Sequence, residues 1–164
     1  MSDLIAAGTE LLYREALFLD NQRWDDWLAL FVEDCEFWLP SWKAEHELTA
    51  DPRTELSLLY YSSRAGLEDR VSRVRSGRSV ASTPLPRTLH TITNVLLLSH
   101  SESAMSLHSN WTVHEFRTKR RETHVQYGSY AHDLVLRDAG WRIRRKKIVM
   151  LNDFMPTMLD FYSF

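Results

Sequence analysis

The sequence predicts an α+β fold in which N-terminal helices cover one face of a curved, mainly antiparallel sheet. Three observations predict it. Apolar residues recur with a helical period in the first third of the chain and again from Arg64 to Arg75. After His90 the period changes from 3.6 to 2. Turn signals then cut the alternating segments into a meander, and helices followed by such a meander pack as two layers.

The first helix is expected over residues 3 to 20, with Asp3 as its cap and Leu4, Leu11, Leu12, Ala16 and Leu19 near one face. A second starts around Asn21 to Trp24. Trp24, Trp27, Leu28 and Phe31 follow an i, i+3, i+4, i+7 pattern, and Asp25 and Asp26 sit where the macrodipole favours acids. Glu36 to Trp42 reads as a short strand, which Pro40 marks as an edge or bulged one. Residues 43 to 58 are polar and loop-like. Arg64 to Arg75 is a third helix with Leu67, Val71 and Val74 as its stripe and Asp69–Arg73 as an i, i+4 pair. Gly77 stands where a left-handed C-terminal residue is expected.

Thr91 to Leu98 is an apolar strand. From Ala104 to Phe116 the alternation puts Met105, Leu107, Trp111 and Val113 on one face, with Ser106, His108, Asn110, Thr112 and His114 on the other. His124 to Arg137 is a long strand in which Gly128 signals a bend or bulge. Asp138-Ala139-Gly140 is a turn, and Trp141 to Leu151 pairs back as the last strand, with Trp141, Ile143 and Val149 on its buried side.

The 164 residues form one expected domain, 1–164, long enough to bury roughly 70% of the unfolded surface. A net charge of −2 gives no global reason to bind nucleic acid or membrane. The single cysteine, Cys35, rules out an internal disulfide, and a cytoplasmic chain is the simplest expectation. The N-terminus lacks the basic and apolar regions of a signal peptide, and no apolar run approaches the ~20 residues of a span. Six Trp, six Tyr and seven Phe are many for this length; they suit the filling of a curved sheet or the anchoring of a subunit contact.

The stretch from Leu59 to His90 is rich in arginine and hydroxyl residues, with arginines at 64, 70, 73, 75, 78 and 87. Guanidinium forks in such an array suit carboxylates on another protein surface. Other groups bear chemistry in principle. Tyr60, Tyr61, Asp69 and His90 could act as general acid and base in a pocket, the reading of a stand-alone isomerase or dehydratase. Histidines at 46, 90, 100, 108, 114, 124 and 132 invite a metal. However, His108 and His114 lie about 20 Å apart along one strand face, and His124 and His132 fail similarly. A Rieske centre needs two Cys and two His, which one cysteine cannot supply. Cys35 sits between acidic residues, which raise a thiol's pKa, and reads as structural. The basic run from Arg142 to Lys147 alternates between strand faces, so it reads as an interfacial or solvated sheet face.

Three segments carry a resemblance: RWDDWLALFVEDCEFWLPSW from Arg23 to Trp42, the block Leu59 to His90 with its SRAGLEDR core, and LDFYSF from Leu159 to Phe164. Together they resemble the small (beta) subunit of aromatic-ring-hydroxylating dioxygenases of the benzoate/anthranilate type. YYSSR stands where relatives typically carry a proline after the tyrosines, a departure that leaves the core intact. The resemblance implies a cone-shaped, nuclear transport factor 2-like (cystatin-like) fold. It implies a structural subunit with no catalytic, cofactor-binding or metal residues of its own. Its partners would be a large (alpha) subunit, holding a Rieske [2Fe–2S] cluster and a mononuclear Fe(II), and further copies of itself in an α3β3 assembly. With NADH and a separate reductase, such a complex adds O2 to an aromatic carboxylate and gives a cis-dihydrodiol. Benzoate is the leading substrate, anthranilate or a halobenzoate the alternative. Arg64, Arg70, Arg73, Arg75, Arg78, Arg87, Phe161 and Tyr162 are the candidate interface residues.

Overall fold

The computed structural model describes residues 1–154 and 158–164. In chain order the elements are α1 (Ser2–Asp20), α2 (Trp24–Ala29), β1 (Phe31–Pro40), β2 (Trp42–Ala44), β3 (Glu47–Leu48), β4 (Ser57–Tyr61), α3 (Arg64–Arg75), β5 (Arg87–His100), β6 (Ala104–Arg117), β7 (Glu122–Arg137) and β8 (Gly140–Met150). A six-stranded sheet in the order β4-β1-β8-β7-β6-β5 carries the helices on one face, with the core between the two layers. All its pairings are antiparallel except β1 with β8, which is parallel. The expected architecture is present.

Several local expectations are corrected. Asp3 lies inside the first turn of α1 and makes no capping bond; Met1 holds the cap position. Helix α2 stops at Ala29, and Phe31 opens β1. The helical spacing of Trp24, Trp27 and Phe31 persists because all three face the same core, where Trp27 meets the Phe31 ring at 5.2 Å. Strand β1 is central, between β4 and β8. Pro40 is tolerated there because it ends the strand, at a register shift where no ladder N–H is needed. Trp42, expected to end a strand, instead opens a small hairpin over residues 42–48 that runs into the segment 43–58 expected to be loop, and β4 begins at the end of that segment. The i, i+4 pair on α3 is Arg64–Glu68 at 3.0 Å, while Asp69 points to solvent. Gly77 adopts the left-handed φ of 71°.

The last two strands depart from simple alternation. Asp133 pairs with Arg145 while Leu134 pairs with Ile143, so Arg144 is an extra residue. This bulge reverses the faces beyond it. Ile143 points inward before it; Lys146, Ile148 and Met150 point inward after it, and Val149 turns outward. Gly128, by contrast, sits in an unbroken β6–β7 ladder. Its role is close approach: a Cβ there would lie 1.8 Å from the Val149 carbonyl oxygen. Gly128→Ala is expected to force β7 and β8 apart and cost about 1–3 kcal/mol or more. An unchanged denaturation midpoint would contradict this account.

Candidate subunit interface

Helix α3 starts after the extended Ser63 and ends with basic residues in its last turn, where the negative end of the helix dipole favours them. Leu67, Val71 and Val74 bury its inner stripe. Its arginines must therefore leave from the other faces; together with Arg78 and Arg87 beyond the helix, they divide into two sets.

The first set is used within the chain. Arg64 donates to Glu68 and to the Phe31 carbonyl at 3.1 Å, and lies 3.7 Å from Glu33. Arg70 grips the buried Asp160 with two bonds, Nη2 at 2.7 Å and Nε at 3.3 Å. Arg75 meets Asp25 at 3.0 Å between two exposed side chains, and holds that carboxyl below its ordinary range. Arg87 lies over the Phe116 ring. The second set, Arg73 and Arg78, is exposed and has no side-chain partner among the described residues. Thus the cationic face that remains open is the C-terminal end of α3 and the turn after it.

Phe161 and Tyr162 lie inside their own chain's core, at 1% exposure each, and so present no surface to a partner. Phe161 stacks on Trp27 at 4.8 Å and meets Trp24 edge-on at 5.1 Å. Tyr162 shares a 2.6 Å hydrogen bond with Ser82, and burial pushes its phenol up to about 12. Asp160 fixes this tail: its carboxylate caps the final 3-10 turn by accepting from the Phe161 N–H while also holding Arg70. The aromatic terminus is explained by the need to close the helix-covered core.

The residues that could have formed an acid–base pocket are not brought together. Tyr60 donates to Glu36 on the outward face of the sheet, beside an open groove lined by Trp38, Arg53 and Arg145. Tyr61 turns to the opposite side, against Phe37 and Gly66. Asp69 is exposed on α3. His90 is buried against α1, its Nδ1 2.5 Å from Asp20, whose carboxylate also accepts from Thr88 and from the His90 N–H.

The sequence reading missed a polar cluster inside the core. Glu15, on the apolar face of α1, accepts from Lys146 Nζ at 2.6 Å and from Trp27 Nε1 at 3.4 Å, and lies 3.2 Å from His132 Nε2. Lys146 Nζ also sits 4.3 Å from the centre of the Tyr130 ring. Burial opposes ionisation of Glu15, but Lys146 and His132 overcome it and bring the carboxyl down to about 2. Burial lowers the pKa of His132, keeping the imidazole neutral. The signal was present: Glu15 interrupts a stripe of Leu11, Leu12, Ala16 and Leu19, and nothing but a buried cation makes a carboxylate tolerable there.

The remaining histidines are scattered. His108 and His114 face outward on β6, His46 and His100 are exposed, and His124 lies 3.5 Å from Glu122. Cys35 is buried beside Phe37, and burial, more than its acidic neighbours, pushes the thiol up to about 11. Among the described residues no three His, Cys, Asp or Glu side chains stand close enough to hold a metal ion. These donors do not fit a Rieske cluster or a mononuclear iron. No helix of the described residues is long and apolar enough to cross a membrane.

The family model for the ring hydroxylating beta subunit matches residues 14–157. The chain belongs to this family. As a ring-hydroxylating beta subunit it is 41% identical to the 2-halobenzoate 1,2-dioxygenase small subunit of Burkholderia cepacia, over 92% of this chain and 90% of that one. It is 36% identical to the benzoate 1,2-dioxygenase beta subunit of Acinetobacter baylyi, over 94% and 90%. Among solved structures, the beta subunit of benzoate 1,2-dioxygenase from Burkholderia mallei superposes with a TM-score of 0.81 at 33% identity, covering 97% of this beta subunit and 96% of its own. The segments that carried the resemblance supply α2 and β1, α3 and the tail latched by Arg70. The family signature is thus written largely in residues that hold the fold together.

Proposed function

We propose that this chain is the structural small subunit of a benzoate-type 1,2-dioxygenase, docked on a large subunit that carries the Rieske [2Fe–2S] cluster and the mononuclear iron. Membership of the beta-subunit family is the observation that carries this reading. The proposed assembly is α3β3 and cytoplasmic, acting with NADH and a reductase on benzoate or on a substituted benzoate such as anthranilate or a halobenzoate. Small subunits of enzymes named for these substrates match over nearly the whole chain, which supports the aromatic-carboxylate class. The chain's own residues supply a rigid support.

Its docking contacts with the large subunit are assigned to the open cationic face, Arg73, Arg75 and Arg78, with Arg87 as a further candidate. Carboxylates on the partner would complete the forks of Arg73 and Arg78 and compete with Asp25 for Arg75. Removing one member of a desolvated pair across an interface costs roughly 2–5 kcal/mol, whereas an exposed pair within the chain is worth about 0–1 kcal/mol. Arg73→Ala/Arg78→Ala and Arg75→Ala are therefore expected to leave the melting temperature of the isolated chain unchanged while weakening capture by the large subunit about tenfold or more. Dioxygenase turnover should fall in proportion to the complex lost. The check is turnover per assembled complex, measured in these variants and in Tyr61→Phe. A collapse of turnover in an intact complex would restore a catalytic role to this subunit and end the scaffold reading.

A further inference from the structure

Most of the basic run from Arg142 to Lys147 is used by the fold itself. Lys146 meets Glu15, Arg145 meets Glu36 at 2.7 Å, and Lys147 lies over the Trp38 ring at 4.9 Å. Arg142 and Arg144 have no carboxylate partner among the described residues. Arg144 lines the outward groove beside Tyr60, where Asp34, Glu36, Asp51 and Asp133 outnumber Arg53, Arg144 and Arg145. A further anion is repelled there. Arg142 has a different setting.

It lines a second groove, of about 370 Å3, between α1, the end of α2 and the β7–β8 turn. The Ile143 N–H donates to the Leu30 carbonyl at 2.7 Å, which fixes the start of β8 beside the end of α2. Leu11, Phe18, Leu30 and Trp141 give the groove its apolar wall. The other charges around it cancel in pairs. Glu10 holds Arg14 at 2.8 Å, and Asp26 holds Arg23 at 2.8 Å. Arg142 remains, its guanidinium anchored by a 2.8 Å bond to the Trp141 carbonyl. The Trp141 indole N–H makes no hydrogen bond among the described residues and is a further unused donor. One uncompensated positive charge therefore stands beside an aromatic and aliphatic wall, in a groove within the roughly 300–1,000 Å3 of small-molecule sites.

We propose that this groove binds a small aromatic carboxylate, the ligand class assigned above to the assembled enzyme. The ring lies against Phe18, Leu30 and Trp141, and the carboxylate takes the fork of Arg142. Both halves of the ligand are needed. A neutral aromatic leaves the guanidinium without its counter-charge, and a short aliphatic acid leaves the wall uncovered. Glu10 and Asp26 do not oppose the anion, because each is already paired with an arginine. A ligand of this size in an open groove suits a Kd of about 1 mM. The choice of an aromatic acid rests on the subunit reading above, but binding is testable on the full chain alone.

The test is an NMR titration of the full chain with benzoate, benzamide and acetate, read at the Trp141 indole N–H resonance, which Trp141→Phe identifies. Benzoate should shift this resonance with a Kd of about 1 mM, and benzamide and acetate should bind at least about tenfold more weakly. Arg142→Gln removes the charge, and Ala29→Phe fills the groove from the exposed end of α2. Each should weaken benzoate at least about tenfold while the circular dichroism spectrum stays unchanged. Arg73→Ala/Arg78→Ala should bind benzoate as the wild type does. No shift at about 10 mM benzoate overturns the proposal. Equal binding of benzamide, or unchanged affinity in either folded groove variant, does so too. Loss of binding in the Arg73→Ala/Arg78→Ala variant would place the anion on the end of α3 and would also overturn it. If benzoate binds as expected in a chain that no co-expressed large subunit captures, the subunit reading fails and the groove stands. Capture without benzoate binding has the reverse meaning.

Discussion

Replacing Glu15 with alanine is expected to destabilise the chain by about 3–5 kcal/mol, a large share of the roughly 5–15 kcal/mol that holds a domain together. The reason is what the substitution leaves behind. Lys146 is 1% exposed at its side chain and has Glu15 as its carboxylate partner at 2.6 Å. Without that partner a buried ammonium is stranded between the Tyr130 and Phe37 rings. Lys146→Met should be similarly harmful, since it strands the carboxylate. Glu15→Leu/Lys146→Met should recover most of the loss, because an apolar pair needs no charge compensation. Urea melts of the two single variants and the double variant give the coupling between the residues directly. Additive losses would mean that the pair is not coupled as its geometry requires.

The same cluster sets the acid limit of the fold. The folded carboxyl of Glu15 has a pKa of about 2 against 4.5 in solvent, so the unfolded chain takes up its proton first. Its contribution, about 3 kcal/mol, is complete above pH 4.5 and is lost as the pH falls toward 2. His132 acts in the same direction at higher pH. Burial holds it neutral, its folded pKa lying below the solvent value of 6.5, so the unfolded chain gains a proton below 6.5 that the folded chain refuses. Stability should therefore decline in two stages on acidification, the first starting below about 6.5. His132→Gln should remove the first stage and leave the second.

The second large effect concerns the tail. Arg70→Ala is expected to cost about 2–4 kcal/mol and to release residues 158–164. Asp160 is buried at 1% and would lose its bidentate cation, while the arginine itself is 27% exposed, which moderates the penalty. Asp160→Asn should cost less. Its amide oxygen still accepts the Phe161 N–H, and the freed Arg70 can turn to solvent. Arg70→Lys should rescue only part, because one ammonium cannot replace two bonds of a guanidinium fork. Release of the tail uncovers Trp24 and Trp27, so carboxypeptidase sensitivity and tryptophan fluorescence should change together. A tail that stays protected in Arg70→Ala would show that the aromatic packing alone suffices.

The sequence by itself determined what local periodicity encodes. Helix α3 and its glycine stop, the alternation of β6, the turn before β8 and the α+β order follow from side-chain spacing and turn residues, and both are local properties. Family membership was legible too, because its signature segments are contiguous. The tertiary structure alone decided three further matters. A one-residue bulge at Arg144 turned Lys146 inward, and a bulge is set by pairing with β7, which no window of β8 can register. Asp160 reached Arg70 across ninety residues, converting an arginine expected at a subunit contact into an internal latch and the aromatic tail into core. The outward row of Leu89, His114 and Val125 exists only through strand register. Sequence spacing states which residues share a face; only the folded sheet determines which faces meet and which are left uncovered.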